Sequence, residues 1–416
     1  MTTTPPPTSS FALTPEQRAW CAQLRTLGAE RLAPLAAEGE AGRVNRPLLR
    51  ALGELGLLAR AVPGAPPWRR VAALDLCLLR ESLAYSCPEA ETALALQGLG
   101  AGPVADVGTA EQRARWLPAV ATGEAVAAFA LSEPDAGSDA AALALRAEPE
   151  VRGGKGAGGG DGVEGAGETG GTGGWRLTGT KTWISNAPWA DFYTVFARTG
   201  EAPGSRGVTA FLVPADRPGL SGEPLDMLAP HALGTLTFDA VPVTRADLLG
   251  EPGEGFRVAM RTLNLFRPSV GAFAVGMAQA ALDASLAHAG RRPAFGGVLR
   301  DLQAVSHQLA EMATRTEAAR LLVYAAACAY DSEGAGGEDV ALRAAMAKLL
   351  ATETAQYVVD AAVQIHGAAA LQRGHLLEHL YREVRAPRIY EGASEVQRTL
   401  IAKELYKETH KEARHP

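Results

Sequence analysis

Residues 388–398 read Arg-Ile-Tyr-Glu-Gly-Ala-Ser-Glu-Val-Gln-Arg, and they place one carboxylate, Glu391, between an aromatic residue and a glycine. A helix is predicted to follow, from Ser394 to Lys407. A carboxylate in this position can act as a base, and Gly392 allows a flat substrate to approach the backbone. Alone the string is weak evidence, so its meaning depends on the motifs that precede it.

Two upstream stretches carry groups that could contact a ligand. Residues 364–369 read Gln-Ile-His-Gly-Ala-Ala, where His366 is better explained as a structural residue at a helix end than as a catalytic base. Residues 291–296 read Arg-Arg-Pro-Ala-Phe-Gly, and Arg267 and Gln303 flank them along the chain. These arginines either hold a pyrophosphate or are solvated surface groups.

Two further motifs lie in the middle third of the chain. Residues 179–186 read Gly-Thr-Lys-Thr-Trp-Ile-Ser-Asn, and strand alternation puts Trp183 and Ser185 on one face. Either the tryptophan stacks on an aromatic cofactor with the serine at its edge, or it is a core residue beside a surface serine. Residues 129–139 read Phe-Ala-Leu-Ser-Glu-Pro-Asp-Ala-Gly-Ser-Asp. They form a turn against a polar ring or phosphate, or an ordinary β-turn with Asp139 as a cap.

The spacing of apolar residues divides the chain into three regions. Residues 1–124 show helical spacing, with a last helix predicted to end at Pro118. Residues 125–248 contain short β-rich runs separated by Gly, Pro or Asn, which predict a middle antiparallel β-domain. Residues 249–416 return to helical spacing, and Pro268 is expected to bend the first long helix. The predicted fold class is α+β, mainly α, with helical domains at both ends.

A glycine-rich insertion interrupts the middle region. Residues 153–174 contain 13 glycines in 22 positions. The GxxxxGK[ST] order of a phosphate-binding loop is absent and no helix is predicted after it. We therefore interpret the segment as a flexible hairpin insertion.

Composition excludes several classes of function. The chain has 416 residues, of which 47% are hydrophobic and 21% charged, enough for two or three packed units. A net charge of −6 argues against nucleic acid as a partner. The four cysteines show no metal-ligand spacing, so free thiols in a reducing cytoplasm and no metal are expected. No secretory signal is found at the start, and no uninterrupted apolar run predicts a membrane span.

Taken in order, the motifs SEPDAGSD, KTWISNA, RPAFG and RIYEGASEVQR resemble those of the acyl-CoA dehydrogenase family, over essentially the whole chain. The resemblance implies an N-terminal helical domain, a middle β-domain and a C-terminal four-helix bundle, assembled as a homotetramer or homodimer. It also implies FAD as cofactor, bound between the β-domain and the bundle, with part of its site supplied by a neighbouring subunit.

The resemblance assigns roles to individual residues. Glu391 is the implied catalytic base. The implied FAD-binding residues are Phe129, Leu131, Ser132, Gly137, Ser138, Trp183, Ser185, Arg292, Phe295, Gln303, Gln364, Gly367, Ala393 and Glu395. The residues implied to contact the acyl-CoA substrate are Ser138, Asn264, Arg267, Tyr390 and Gly392.

The implied reaction is an α,β-dehydrogenation that yields a trans-2-enoyl-CoA. Glu391 removes an α proton while the thioester carbonyl is held by a flavin ribityl hydroxyl and the backbone N–H of Glu391. The β-hydrogen leaves as hydride to flavin N5, and the electrons pass to an electron-transfer flavoprotein. Alternatives that stay open are an oxidase that uses O2, a non-catalytic thioester-binding paralogue, and an acyl group carried on a carrier protein.

Several positions depart from the family pattern. The family strip Gly-Gly-x-Gly is replaced by Gly367-Ala368-Ala369-Ala370, so two methyl groups are expected near FAD. Residues 225–235 are shorter than usual beside the expected substrate entrance. Position 264 is Asn where some members carry Asp, and Phe266 occupies the place where some members carry the base.

Overall fold

The computed structural model describes residues 13–150, 173–200, 202–337 and 339–412. The glycine-rich insertion predicted at 153–174 lies almost wholly outside the described residues. The α-helices are α1 Pro15–Leu27, α2 Ala33–Ala37, α3 Arg46–Glu54, α4 Ala73–Ser86, α5 Pro88–Val107, α6 Ala110–Ala121, α7 Gly255–Arg291, α8 Gln303–Glu333, α9 Val340–His366, α10 Leu376–Glu383 and α11 Ser394–Glu412. The strands are β1 Ala127–Ala130, β2 Arg146–Pro149, β3 Trp175–Ser185, β4 Phe192–Arg198, β5 Val208–Pro214, β6 Leu220–Pro224, β7 Leu233–Val243, β8 Leu248–Leu249, β9 Pro293–Ala294 and β10 Gly297–Val298.

The N-terminal region is helical, as predicted. Helix α1 begins with a capping box, in which the Thr14 hydroxyl accepts from the N–H of Gln17 and the Gln17 side chain accepts from the N–H of Thr14. Helix α6 continues through Pro118 to Ala121, so the predicted end at Pro118 is wrong. The preceding Thr109 cap fixes the start of α6, and a proline removes only one hydrogen bond within it.

The middle region forms a sheet with the strand order β6-β7-β3-β2-β4-β5-β8. Most neighbours are antiparallel, but β4 pairs in parallel with β1 and, through Arg146 and Arg198, with β2. Strands β2 and β3 are antiparallel, with Pro149 opposite Trp175, so the insertion falls between two paired strands. The predicted fold class is confirmed, with these parallel pairings as an addition.

The C-terminal region is a bundle in which α7, α8 and α9 pack on one another and α10 and α11 pack on α9. Helix α7 runs without interruption through Pro268. Among the described residues it alone has the length and hydropathy to cross a bilayer, and 72% of its most apolar window is buried inside the fold. A core helix of a bundle meets the same criteria, and the surrounding helices favour that interpretation.

The N-terminal region and the bundle are joined at the start of α4. The Asp331 carboxylate near the end of α8 accepts from the backbone N–H groups of Ala73 and Leu74, at 2.6 and 3.0 Å. A carboxylate at a helix N-terminus satisfies N–H groups that have no partner within the helix. The start of helix α4 is thereby held against α8, and α4 also packs on α7.

Candidate active site

The loop that carries Glu391 connects a 3₁₀ turn at Ala386–Arg388 to α11. Glu391 and Gly392 both have positive φ angles, +51° and +99°. Arg267 Nε donates to the carbonyl oxygen of Glu391 at 3.1 Å, and Lys348 Nζ donates to that of Gly392 at 2.6 Å. Gln397 Nε2 lies 3.4 and 3.2 Å from the same two oxygens. Side chains from α7, α9 and α11 therefore hold this loop.

The Glu391 carboxyl group is shielded from solvent on one side. Its Oε2 atom is buried and has no hydrogen-bond partner among the described residues. Burial raises the pKa of Glu391, and the positive charges of Arg80, Arg267 and Lys348 oppose that rise. A carboxylate with a raised pKa and a free oxygen is suited to accept a proton from a weak carbon acid.

Arg80 is a charged neighbour of Glu391 that the sequence motifs did not reveal. It is buried on α4, forms a very short ion pair with Glu91 of α5, and donates to the Ser269 hydroxyl at 2.6 Å. Its charge acts on Glu391 more strongly than those of Arg267 and Lys348. The available signal was an arginine within the apolar run of residues 76–84, a position where an unpaired charge is rarely buried.

A second layer holds the start of α11. Glu353 of α9 accepts from Arg388 Nε at 3.0 Å and from the Ser394 hydroxyl at 2.5 Å. Burial raises the pKa of Glu353, but these hydrogen bonds outweigh it, so the net pKa lies below the usual range.

The predicted substrate residues lie around Glu391. Asn264 contacts Arg267 at 3.5 Å, and Tyr390 is partly exposed. The structure thus brings Asn264, Arg267, Tyr390, Glu391 and Gly392 together.

A second group of predicted residues meets on the β-domain. The N–H of Thr182 donates to the carbonyl oxygen of Ser132 at 3.0 Å, which places the 129–139 turn beside β3. A register shift between Lys181 and Ile184 marks a bulge, and Trp183 within it has a φ of +56° and is 49% exposed. The bulge thus presents the Trp183 ring to solvent instead of the core.

An ion pair that the motif analysis did not use joins the two motifs of this group. Lys181 Nζ lies 2.7 Å from Glu133 Oε1 and 2.9 Å from the carbonyl oxygen of Leu131. Glu133 also accepts from the N–H groups of Ala144 and Leu145. Burial lowers the pKa of Lys181 to about 8, against the opposing charge of Glu133. This pair fixes the turn on the strand.

The other residues implied for FAD on the β-domain have different surroundings. Gly137 and Ser138 are exposed in the turn, and Ser185 is half-buried. Leu131 is buried. The Phe129 ring packs on the buried Phe196 ring, with centroids 4.9 Å apart, so it contributes to the domain interior.

A third group lies at the far end of the bundle. Arg292 and Phe295 occupy the β9–β10 hairpin, where the Phe295 ring is 94% exposed, and Gln303 is exposed at the start of α8. Gln364 and Gly367 are exposed at the end of α9. The stacked rings of His288 and His366, with centroids 4.1 Å apart, join the ends of α7 and α9.

This third group is remote from Glu391 within one chain. From Arg267 to Arg291, α7 advances 24 residues, which at 1.5 Å per residue corresponds to roughly 36 Å. Side chains of one chain cannot close that distance. Ala393 and Glu395, in contrast, follow the base directly and are half-buried and exposed.

The chemistry of the described residues fits a bound FAD. An exposed tryptophan on a bulge supplies a stacking surface, and Gly137 has open space where a Cβ would stand. Ala370 is buried in the bundle core, so its methyl group points away from the surface, while Ala368 and Ala369 are exposed. Among the described residues, no group of three or more His, Cys, Asp or Glu is arranged to hold a metal ion.

Comparison with known proteins agrees with this architecture. Family models for the N-terminal, middle and C-terminal domains of acyl-CoA dehydrogenase match residues 14–124, 128–241 and 253–406. The mitochondrial short-chain specific acyl-CoA dehydrogenase of Bos taurus is 36% identical over 388 residues, covering 92% of this chain and 88% of the relative.

Solved structures give the same result. Butyryl-CoA dehydrogenase from Megasphaera elsdenii has a TM-score of 0.82 at 30% identity, covering 95% of this chain and 99% of that one. The structure of PigA with FAD and proline also has a TM-score of 0.82, at 25% identity, covering 95% and 98%. With three consecutive domains matched and relatives aligned along nearly their full length, the chain belongs to the acyl-CoA dehydrogenase family of oxidoreductases.

Proposed function

We propose that this protein catalyses the FAD-dependent α,β-dehydrogenation of an acyl-CoA thioester to a trans-2-enoyl-CoA, with Glu391 as the base. One observation carries the assignment of the base. The Glu391 Oε2 atom is buried without a hydrogen-bond partner in the described part of the chain, on a loop whose two carbonyl groups are held by three side chains. An unpaired carboxylate oxygen in a fixed position is what proton abstraction requires.

The surroundings of Glu391 support a proton transfer from a carbon acid. An α C–H group of a thioester is a weak acid, so a base with an ordinary carboxyl pKa is poorly matched to it. Burial raises the pKa of Glu391, and a bound acyl chain would desolvate the carboxylate further. The positive charges of Arg80, Arg267 and Lys348 oppose that rise and favour the ionised form.

Stabilisation of the enolate-like charge is the other requirement. We propose that the backbone N–H of Glu391 donates to the thioester carbonyl, as the family resemblance implies. Loss of one such donor costs roughly 2.7–4 kcal/mol in related oxyanion sites. The positive φ angle of Glu391 fixes that N–H relative to the Glu391 side chain, which is why the loop must be held rigidly.

FAD, when bound, would supply the hydride acceptor. On the β-domain we propose that Leu131 and Ser132 meet its pyrimidine side, with Trp183 and Ser185 along the ring system. The exposed Trp183 ring and the backbone hydrogen bond from Thr182 to Ser132 support this arrangement. Ala393 and Glu395 would contact the adenosine portion.

The residues at the far end of the bundle are proposed to serve a neighbouring subunit. Arg292, Phe295, Gln303, Gln364 and Gly367 lie too far from Glu391 to join the same site within one chain. Exposure of the Phe295 ring at the tip of its hairpin supports an intersubunit contact. We therefore propose a homotetramer, with a homodimer as the smaller possibility.

For the substrate, we propose that Arg267, Asn264, Tyr390 and Gly392 border the thioester and acyl group, and that Ser138 contacts the CoA moiety. We further propose that the electrons pass to an electron-transfer flavoprotein and that the protein works in the cytoplasm. An oxidase would release peroxide under turnover in air, and that measurement separates the two electron acceptors.

The test is an anaerobic flavin-bleaching assay. Absorbance near the ~450 nm flavin band is recorded while acyl-CoAs of different length and branching are added, and the products are analysed for 2-enoyl-CoA. We expect bleaching by one set of thioesters with formation of the trans-2-enoyl product. A yellow protein that no CoA thioester bleaches would contradict the proposed substrate class. A purified protein that cannot take up FAD would contradict the assignment as a whole.

A further inference from the structure

Lys348 is a buried charge to which the motifs assign no role. It lies on α9, has a relative exposure of 0%, and its ammonium group donates to the carbonyl oxygen of Gly392 at 2.6 Å. A charged group is rarely placed in the interior unless its interactions require it. An ionised donor makes a shorter and stronger hydrogen bond to a carbonyl oxygen than a neutral donor does, so the protonation of Lys348 bears on how firmly Gly392 is held.

The conformation of residues 391 and 392 shows why a strong contact is needed here. Glu391 has a φ of +51°, a region that residues with a Cβ seldom adopt, and Gly392 follows at +99°. Such a conformation persists only where surrounding contacts determine it. Arg267, Lys348 and Gln397, all buried, supply these contacts to the two consecutive carbonyl groups.

The three side-chain donors differ in whether a change of pH can alter their charge. The Arg267 guanidinium stays charged in proteins and the Gln397 amide does not titrate, whereas an ammonium group can lose its proton. The charged groups that act on Lys348 are Glu391 of the loop before α11, Glu395 of α11, Arg267 of α7 and Glu353 of α9. Lys348 is therefore the contact through which pH can alter the loop.

We propose that Lys348 is a positioning residue whose protonated side chain holds Gly392, and through it Glu391, in the conformation that directs the carboxylate at the substrate. This inference rests on the proposed function of Glu391. It adds a control of that site by the protonation of a residue on a different helix. Lys348 itself does not touch the reacting atoms in this account.

The pH dependence follows with a definite sign. Burial lowers the pKa of Lys348 to about 8, with Arg267 acting in the same direction and the three carboxylates opposing. Below that pH the ammonium group donates a charge-assisted hydrogen bond to Gly392, and above it only the weaker hydrogen bond of the neutral amine remains. The rate of flavin reduction should therefore fall as pH rises through about 8, in addition to the acidic limb that comes from Glu391.

The experiment compares the variants Lys348→Met and Lys348→Arg with the wild-type holoenzyme. Anaerobic flavin reduction by the acyl-CoA that bleaches the wild-type flavin is measured between pH 6 and 10, and the affinity for that thioester is measured separately. We expect Lys348→Met to keep FAD, to lower the rate by roughly 100-fold with little change in affinity, and to lose the limb near pH 8. Lys348→Arg, which stays charged, should restore part of the rate without that limb.

The control is Arg320→Met, which removes a partly buried cation of α8 that contacts Glu81 of α4. It should alter stability without removing the alkaline limb. A Lys348→Met protein that reacts within threefold of wild type and keeps the wild-type pH profile would overturn the proposal.

A crystal structure of Lys348→Met separates this proposal from the proposed function. We expect the peptide of residues 391–392 to leave its left-handed conformation, and an unchanged loop would overturn the role of Lys348. That result is independent of turnover. If no thioester bleaches the wild-type flavin, the proposed reaction fails, while the loop conformation still decides the part played by Lys348.

Discussion

Arg80 forms an ion pair with Glu91, and both side chains are buried. The Arg80 charge also acts on the nearby Glu391 carboxyl group. Because the guanidinium charge opposes the rise in the pKa of Glu391, its removal should raise that pKa further. We predict that Arg80→Met moves the acidic limb of the rate of flavin reduction to higher pH. The measurement is the pH profile of anaerobic bleaching between pH 5 and 8.

The double variant Arg80→Met/Glu91→Leu is the matched comparison. It removes one charge of each sign, so its acidic limb should shift less than that of Arg80→Met. It should also be the more stable of the two, because breaking a buried pair costs about 3–5 kcal/mol while replacing both partners is often neutral. A single variant with an unshifted limb would contradict the account.

Gly392 has a steric requirement that the structure makes explicit. A Cβ at this position would stand 2.0 Å from Gln397 Nε2, and φ is +99°. We predict that Gly392→Ala displaces Gln397, lowers the free energy of unfolding by about 1–2 kcal/mol or more and slows flavin reduction. Denaturant unfolding checks the first effect. Gly336→Ala, where a Cβ meets open space, is the control and should stay within about 0.5 kcal/mol of wild type.

At the level of single residues, sequence reasoning singled out Glu391 as the candidate base because carboxylate, glycine and helix start are contiguous. It did not find Arg80, Glu91 or Lys348, since these act through contacts between helices far apart in the chain. The spacing of apolar residues predicts that a helix is buried, but it does not predict which buried charge meets which carbonyl group.

Among the elements, the loop before β7 and helix α10 are joined by a charged pair. His231 Nε2 lies 2.7 Å from Glu383 Oε2, and both side chains are largely buried. Burial lowers the pKa of His231, but the charges of Glu383, Glu89 and Glu91 outweigh it and the net shift is upward. For Glu383, burial raises the pKa, and His231 outweighs it, so the net shift is downward.

The sign of the pH effect follows from both shifts. The histidine contribution is complete below its unfolded pKa of about 6.5 and is lost as pH rises through the higher folded pKa. The glutamate contribution is complete above about 4.3 and is lost as pH falls through the lower folded pKa. A double-mutant cycle with His231→Gln and Glu383→Gln should give a coupling of about 1.5–3 kcal/mol at pH 6 and less at pH 9. Equal couplings at the two pH values would contradict this prediction.

The elements also show where sequence patterns reach their limit. The helical and β-rich regions were predicted correctly because their periods differ. Helix α5 was not separately predicted, since its glycines and Pro103 interrupt the usual spacing. The bulge that exposes Trp183 is likewise invisible to strict alternation, because it depends on the register of β3 against β7.

For the whole molecule, the separation of about 36 Å between Arg267 and Arg291 along α7 bears on how many chains assemble. Residues near Arg267 and residues near Arg292 can contribute to one cofactor site only if different subunits supply them. We predict that sedimentation equilibrium gives the mass of four chains of 43.3 kDa each, or of two in the smaller assembly. A monomer that retains FAD and activity would contradict the shared site.

The central claim is that Glu391 removes the α proton, and Glu391→Gln tests it most directly. The substitution keeps the size of the side chain and leaves the backbone contacts with Arg267, Lys348 and Gln397 in place. The measurement is anaerobic bleaching of the flavin by the acyl-CoA that reduces the wild-type protein. The account predicts a yellow variant that binds the thioester and is not reduced by it, whereas bleaching at a rate near that of wild type would contradict it.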